Sequence, residues 1–317
     1  MKLFRKILYV GITIMALLAT SDDTAAQQDP MYTQYIDNLL IINPGFAGSK
    51  GTGNFLLVAR NQWVSFDGAP VTKSFSYHSP IKGFKAGVGF SLLTDKIGPL
   101  EQTGLYFDYS YFLNVGRKYM LGMGLKGGFS FYRASLTELI TIDPDPIYEE
   151  DIYKNFLPNF GVGIFLFSNN TYLGFSLPKL LKNDITREDF VTDYIGREEL
   201  HMYFVAGKKF LLGENLQLKT NSMLKYVHNA PISLDVTAMI GLKGKFWVGG
   251  MLRFKDSFGL LTQYNVTDYL LLGYSYDLAF SELNSFNNGT HEIMVGYNFN
   301  LFSRKRQTPL QRENLWY

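Results

Sequence analysis

The 317-residue sequence contains no cysteine, which excludes disulfide bonds, thiolate metal sites, a cysteine nucleophile and a lipidated amino-terminal cysteine. Charged residues make up only 18% of the chain, and a net charge of +2 gives no basic surface for nucleic acid. After residue 26, no apolar run approaches the roughly 20 residues that a membrane-spanning helix needs. Aromatic residues and glycine are abundant instead: 26 Phe, 21 Tyr and 30 Gly favour many short strands and tight turns.

Residues 1–26 have the layout of a secretory signal peptide. A basic start precedes an apolar run over 7–19, and the small residues Thr24 and Ala26 precede a cleavage site ahead of Gln27. The apolar run is short for a spanning helix, although an uncleaved anchor is the alternative. The mature chain is therefore expected to leave the cytoplasm.

The rest of the chain alternates between apolar residues and small or polar residues. In one segment Leu105, Phe107 and Tyr109 share a face, while Tyr106 and Asp108 occupy the other. Successive side chains of a strand point to opposite faces, so each segment has one apolar face and one polar or small face. The pattern predicts an all-β protein, but a soluble β-sandwich has the same alternation.

The number and spacing of the segments distinguish these two folds. About 14 segments are present, beginning near residues 54, 71, 85, 102, 118, 157, 171, 200, 215, 231, 245, 258, 268 and 290. Even-to-odd connections such as 168–170 are short, whereas odd-to-even connections include 135–156, 179–199 and 281–289. Outer-membrane barrels have short periplasmic turns, longer outer loops and an even strand number. We therefore predict a transmembrane antiparallel β-barrel of the outer membrane over 53–302, with a secreted sandwich as the alternative.

The remaining segments complete the predicted organisation. A periplasmic or plug segment over 27–52 precedes the barrel, and a basic periplasmic tail over 303–317 follows it. With an even strand number, both termini are expected in the periplasm. Charged residues inside strands are expected to face a lumen, where water or paired counter-charges solvate them. These residues are Asp108, Lys219, Lys225, Asp235, Arg253 and Asp277.

Several motifs that carry chemistry elsewhere do not predict it here. Residues 122–127 match G-x-G-x-x-G, but a strand-like segment follows where nucleotide binding requires a helix, so these glycines are expected to relieve crowding in the barrel wall. His201 and His291 are interpreted as strand-end residues near an interface. The acidic residues of 143–151 could bind Ca²⁺, but their spacing fits no EF-hand and a solvated loop is preferred. We predict no enzyme, no cofactor and no metal.

The start of the mature chain carries a specific set of motifs. Residues 27–35 read Q-Q-D-P-M-Y-T-Q-Y, and N-P-G-F-A-G at 43–48, R-N-Q-W at 60–63 and G-A-P-V-T at 68–72 follow. A short amphipathic helix is predicted over Met31 to Leu40, ended by Asn43 and Pro44. Arg60 and Gln62 share a face with Asn54 and are expected in the lumen, and Trp63 is expected at the membrane interface.

These motifs closely resemble the PorP/SprF family of the type IX secretion system of Bacteroidota. The resemblance extends through 95–99, 158–163 and 291–293 and covers nearly the whole mature chain, with Gly45 in place of the usual alanine. It implies an outer-membrane barrel that is not an enzyme. SprF-like members serve particular secreted surface proteins, often gliding adhesins, by receiving a C-terminal sorting domain and keeping it at the cell surface. Other members associate with periplasmic components bound to peptidoglycan.

The resemblance implies that the protein assists the secretion and cell-surface attachment of another protein. The implied partners are outer-membrane lipid, a cargo protein with a C-terminal sorting domain, and peptidoglycan-associated type IX components. The alternative is a pore for small solutes, biased by Lys219, Lys225, Arg253 and Lys255, and an outer-membrane enzyme is a third possibility without a visible catalytic set. The same motif residues could instead form a plug that steadies the barrel. The candidate partner-binding residues are Asp29, Pro30, Tyr32, Gln34, Tyr35, Asn43, Pro44, Arg60, Gln62 and Trp63.

Overall fold

Fourteen antiparallel strands form a closed barrel in the computed structural model, which describes residues 29–138, 151–183, 198–228, 230–280 and 287–299. Each strand pairs with its neighbours in the sequence, and β1 pairs with β14 to close the sheet. The strands are β1 (Gly53–Asn61), β2 (Val71–Pro80), β3 (Ala86–Ile97), β4 (Leu100–Val115), β5 (Tyr119–Ala134), β6 (Ile152–Phe167), β7 (Thr171–Leu177), β8 (His201–Leu211), β9 (Leu216–Val227), β10 (Ser233–Leu242), β11 (Phe246–Arg253), β12 (Ser257–Asn265), β13 (Leu270–Ala279) and β14 (Thr290–Phe299).

The predicted barrel is confirmed, and its strands begin close to the predicted positions. Thirteen of the 14 strands start within two residues of the expected place. The exception is β6, which begins at Ile152 rather than near 157 because its first residues continue the ladder with β5 beyond a bulge near Ser130.

Alternation along each strand separates a lipid-facing surface from an inward surface. On β4, Phe107 and Tyr109 are exposed on the outer wall, whereas Tyr106, Asp108 and Ser110 are buried inside the barrel. The outward row is apolar, as contact with acyl chains requires. The six charged strand residues that were expected to face inward are all buried.

The two ends of the barrel differ in the length of their connections. At one end, the short-turn end, every even-to-odd connection has three to five residues. At the other, the long-loop end, the connections range from two residues to 23, and the longest join β5 to β6 and β7 to β8. The strand β1 begins at the short-turn end and runs to the long-loop end.

Helical structure is confined to short pieces. The described residues contain one α-helix, α1 (Leu39–Ile42), a 3₁₀ helix at Pro44–Phe46, and a second 3₁₀ helix at Leu136–Glu138. The predicted helix over 31–40 is wrong, because residues 33–37 form turns instead. An amphipathic helix packs one apolar face against a core and turns its polar face to water. These residues are surrounded by the barrel wall on every side, so that arrangement is not favoured. Within the described part of the chain, no helix is both long and apolar enough to cross a membrane.

Candidate functional site: a segment through the barrel lumen

The residues that precede β1, residues 29–52, run through the inside of the barrel and are called the lumenal segment here. At the long-loop end, the backbone N–H of Asp29 donates to Nε2 of His201, the first residue of β8 (3.0 Å). At the short-turn end, the N–H of Gly48 donates to Nδ1 of His78, near the end of β2 (3.1 Å). The segment therefore traverses the barrel from one end to the other before β1 begins.

A buried charge network fixes the part of the lumenal segment that lies nearest the long-loop end, called its upper part here. The carboxylate of Glu292 accepts hydrogen bonds from the backbone N–H groups of Thr33 (2.9 Å) and Gln34 (2.8 Å). Arg60 Nη1 lies 3.1 Å from Glu292 and 2.8 Å from Asp277, and it also donates to the Thr33 hydroxyl (2.7 Å). The carboxylates of Asp277 and Glu292 carry one more negative charge than the Arg60 guanidinium balances. The backbone N–H groups that bind Glu292 stabilise the remaining buried negative charge.

The middle of the lumenal segment is held from opposite sides of the barrel. Gln263 on β12 donates to the carboxylate of Asp37 (2.6 Å). Lys126 on β5 donates to the carbonyl of Leu40 (3.2 Å) and forms an ion pair with Asp108 (3.1 Å). In the closed 14-strand order, β5 and β12 are seven strands apart in either direction, so these two contacts span the width of the lumen.

The lower part of the lumenal segment, which lies nearest the short-turn end, packs against glycines of the wall. The side chain of Asn43 donates to the carbonyl of Ile164 (3.0 Å) and accepts from the N–H of Gly45 (2.9 Å), which fixes the turn. A methyl group on Gly124 would collide with the backbone of Pro44 and Gly45. Other wall glycines with a similarly close approach to the segment are Gly87, Gly122 and Gly163. The first two glycines of the G-x-G-x-x-G sequence, Gly122 and Gly124, therefore make room for the segment rather than for a nucleotide.

Apolar side chains of the segment and the wall form one continuous core inside the barrel. The buried members from the segment include Tyr35, Leu39, Leu40 and Phe46, and those from the wall include Met239, Trp247, Met251, Leu261 and Met294. Exposing a buried side chain of this size to water costs about 1.5–3 kcal/mol. The described interior thus contains a buried apolar core to which both the segment and the wall contribute.

An ion pair and a histidine anchor the first residue of the segment at the long-loop end. The carboxylate of Asp29 lies 2.7 Å from Lys179 Nζ, which is also 3.7 Å from Glu198. Burial alone would raise the pKa of Asp29, but the Lys179 ammonium outweighs it and holds that pKa well below the usual range. His201 accepts the Asp29 N–H at Nε2, so Nδ1 carries the proton that faces the carbonyl of Glu199 (2.8 Å).

A cavity of about 150 Å³ opens beside this anchor. Asp29 and Pro30 of the lumenal segment form part of its lining, together with Gln102, Tyr132 and Lys179 from the strands and loops around it. The side chain of Gln102 donates to Glu198 (2.9 Å), so polar groups on the lining are tied to each other. The first residues of the segment are therefore part of a concave surface at the long-loop end.

The structure divides the ten candidate partner-binding residues into two groups. The buried ones are Tyr32, Gln34, Tyr35, Asn43, Pro44 and Arg60. The half-buried ones, all at the long-loop end, are Asp29, Pro30, Gln62 and Trp63. Trp63 has φ 45° and its N–H donates to the Thr290 hydroxyl (3.3 Å), which joins the first loop to β14. The buried residues contact their own barrel, and binding of a partner by any of the ten stays a prediction.

Asp29 and Phe299, the first and last described residues, lie at opposite ends of the barrel, because the lumenal segment crosses the barrel before β1 starts. The residues beyond them lie outside the described part of the chain, so the periplasmic location of both termini stays a prediction. One placement expected from the sequence differs from the structure. Lys255 is exposed in the turn between β11 and β12, and it does not line the lumen.

The acidic loop that was considered for Ca²⁺ lies mostly outside the described residues, as do the predicted signal peptide and the basic tail. Asp151 is its described member; the carboxylate accepts from the N–H (3.0 Å) and hydroxyl (2.9 Å) of Thr137. Within the described ranges, no three His, Asp or Glu side chains are grouped closely enough to hold a metal ion.

The sequence matches the family described as "Type IX secretion system membrane protein PorP/SprF" over residues 24–297. The chain belongs to this family. The match includes the whole lumenal segment and 13 complete strands, and it ends inside β14. Family and fold together identify an outer-membrane β-barrel of a secretion system. No curated protein matches the chain in sequence.

Several solved outer-membrane barrels are similar to this PorP/SprF protein, at low identity. The Acinetobacter baumannii outer membrane protein Omp33 is 9% identical (TM-score 0.46), over 79% of this chain and 100% of its own. The CymD monoaromatic hydrocarbon channel is 10% identical (TM-score 0.47), over 82% and 92%. The NanC porin is 8% identical (TM-score 0.42), over 78% and 100%. Similarity this weak gives no guide to what the PorP/SprF protein binds or transports.

Sequence reasoning missed several residues that position the lumenal segment. Glu292 belongs to the family motif at 291–293, and it lies on the inward face of β14 opposite Arg60 in the ladder. A buried, inward-facing arginine requires inward-facing carboxylates, so the pairing of Arg60 with Glu292 could have been predicted from the sequence. Lys179 and His201 anchor Asp29 across more than 100 residues of sequence, and no local pattern indicates that contact.

Proposed function

We propose that this PorP/SprF protein is an outer-membrane attachment partner for a secreted protein that carries a C-terminal sorting domain. The family supports a role in type IX secretion. The observation that carries the proposal is the occupied lumen, because a barrel traversed from end to end by its own chain acts through its ends. The cargo then docks on an end surface rather than passing through the barrel.

The pore for small solutes is the competing function, and the packing argues against it. Leu39 and Leu40 lie in the lumen with at most 2% exposure, among fully buried wall residues such as Met239 and Met251. A path for solutes would require the lumenal segment to leave this core and its buried ion pairs. Each such step exposes apolar surface or breaks charge-assisted hydrogen bonds, so the closed state is strongly favoured.

The long-loop end is the proposed docking surface, and it is proposed to face the cell exterior. Short turns on the periplasmic side and longer loops outside are the usual arrangement in bacterial barrels. Four half-buried residues of the family motifs lie at this end and are the proposed contacts: Asp29, Pro30, Gln62 and Trp63. We propose that the six buried motif residues instead hold the lumenal segment in place.

The experiment is affinity purification of the tagged protein from its native outer membrane, followed by mass spectrometry. The expected result is co-purification of one large protein that carries a C-terminal sorting domain. The double substitution Gln62→Ala and Trp63→Ala should reduce its recovery at least tenfold while the amount of folded barrel stays the same. The matched control is Glu214→Ala, an exposed position in the β8–β9 turn at the opposite end, which should leave recovery unchanged.

Other results of this experiment would support a different function. Recovery of only peptidoglycan-associated type IX components would indicate a core role in the machinery, with contacts at the short-turn end. Recovery of the barrel alone, together with a large steady conductance of the purified protein in planar bilayers, would restore the pore. Equal loss of cargo in both the long-loop variant and the short-turn control would reject the proposed docking surface.

A further inference from the structure

We propose that the mature amino terminus of this protein is displayed at the long-loop end, on the cell surface, as part of the docking surface. From that end the chain would thus run inward through its own barrel to the short-turn end, where β1 begins and returns along the wall. The identification of this end as a docking surface rests on the proposed function. The position of the terminus rests on the contacts of the lumenal segment and on the predicted cleavage ahead of Gln27.

The geometry leaves the terminus no route back to the other end. Nine residues of β1 at about 3.4 Å each make a wall of roughly 30 Å along the strand. If cleavage takes place ahead of Gln27, as predicted, two residues precede Asp29 and reach at most about 7 Å. The lumen beneath them is occupied by the segment and its buried core, and the outside of the wall faces lipid. The free end is therefore confined to the long-loop end.

The contacts of Asp29 show that this part of the chain is held in place rather than lying loosely at the opening. Its N–H is bound by His201 and its carboxylate by Lys179, one on β8 and the other in the connection that precedes it. Four residues further on, Thr33 joins the buried Arg60 network. Asp29, Pro30 and Met31 are each half-buried, so one side of this stretch contacts the barrel and the other faces outward.

The outward side of this stretch is continuous with other loops at the same end. Asp29 and Pro30 line the 150 Å³ cavity together with Glu198 and His201. Across the opening, Val64 donates its N–H to the carbonyl of Gly289 (2.9 Å), which links the first loop to the last. A partner that docks here would contact the start of the mature chain as well as the loops.

The absence of cysteine allows a direct test with single-cysteine variants of the full-length protein. The probe is a maleimide carrying a 5 kDa polyethylene glycol, which is excluded by an intact outer membrane and shifts the protein on a gel. Gln28→Cys reports on the amino terminus. Asp67→Cys, exposed in the first loop, reports on the long-loop end, and Glu214→Cys reports on the short-turn end.

The expected result is that Gln28→Cys and Asp67→Cys shift in intact cells, whereas Glu214→Cys shifts only after the outer membrane is permeabilised. Gln28→Cys that behaves like Glu214→Cys would overturn the proposal, and so would Gln28→Cys that reacts in neither condition. Labelling of Glu214→Cys alone in intact cells would reverse the barrel and reject the surface location. None of these readouts depends on cargo, so the docking function and the position of the terminus fail separately.

Discussion

Removing the carboxylate of Glu292 should loosen the upper part of the lumenal segment without disturbing the barrel wall. Glu292 is fully buried, faces inward on β14, and accepts hydrogen bonds from the backbone N–H groups of Thr33 and Gln34. In Glu292→Ala the two N–H groups lose their acceptor, while Arg60 keeps Asp277 at 2.8 Å. Glu292→Ala therefore weakens the binding of the lumenal segment inside the barrel more than it weakens the ion pairing of Arg60.

The size of the effect follows from those two bonds. Hydrogen bonds to charged groups contribute about 1.5–3 kcal/mol each, so the closed segment loses roughly 3–6 kcal/mol. At about 1.4 kcal/mol for each factor of ten, the population of the opened segment rises roughly 10²- to 10⁴-fold. Local opening of this kind is measured by the reactivity of a buried group in proportion to the open population.

Ser275→Cys provides the reporter, because serine and cysteine are similar in size and Ser275 is fully buried on the inward face of β13. Its neighbours on that face, Gly273 and Asp277, lie against Gln34 and Thr33 of the lumenal segment. The maleimide labelling rate of purified protein is compared with and without Glu292→Ala. The control is Ile293→Val, which changes the adjacent, lipid-facing residue and should leave the rate unchanged.

An acceleration of less than about threefold would refute the reasoning, since it would mean that these hydrogen bonds do not hold the segment. Equal acceleration by Ile293→Val would also count against it, because the effect would then come from the wall of the barrel. Loss of the heat-modifiable folded form would show that Glu292 is needed for the barrel itself.

Three further predictions test other parts of the lumenal segment. Gly124→Ala should destabilise the barrel by about 1–3 kcal/mol through collision with Pro44, and lower the midpoint of heat unfolding on gels; Gly127→Ala is the matched control, because its methyl group would meet only Phe160 at an ordinary 3.7 Å. Because the pKa of Asp29 is lowered, its ion pair with Lys179 should persist from pH 7 to about 4 and weaken below that, as measured by hydrogen exchange of residues 29–36; Asp29→Asn should abolish this acid transition. Deleting Asp29 to Tyr35 should abolish cargo display while leaving a folded barrel in the outer membrane, since the strand ladder and the turn at Asn43 remain; loss of the barrel would mean that these residues serve only as a plug.

The barrel could be predicted from the sequence because its signals are local. Alternation along β4 or β14 depends only on neighbouring residues, and the difference between short and long connections is visible in their lengths. Lipid on one side and a partly polar interior on the other impose that alternation on every strand. Even the inward position of Asp108 and Arg253 follows from the phase of the strand that carries them.

The path of the lumenal segment could not be predicted in the same way. Its contacts join Thr33 to Glu292 and Asn43 to Ile164, at separations of 259 and 121 residues. The sequence of 31–40 looks amphipathic, but the wall supplies partners on every side and replaces the helix with turns. An even strand number places the start of β1 and the end of β14 at the same end of the barrel, but the segment ahead of β1 carries Asp29 to the opposite end.

The pairing of charges inside the barrel is a second, independent argument for the proposal that the protein is not a channel. In a water-filled pore an inward charge is solvated and needs no partner. Here Asp235 lies 3.0 Å from Arg253, Asp108 lies 3.1 Å from Lys126, and Arg60 has two carboxylates within 3.1 Å. Ion pairs with this geometry are what buried charge requires in a medium of low dielectric constant. A barrel built this way gives its ends a rigid foundation, which the proposed docking at the long-loop end would require.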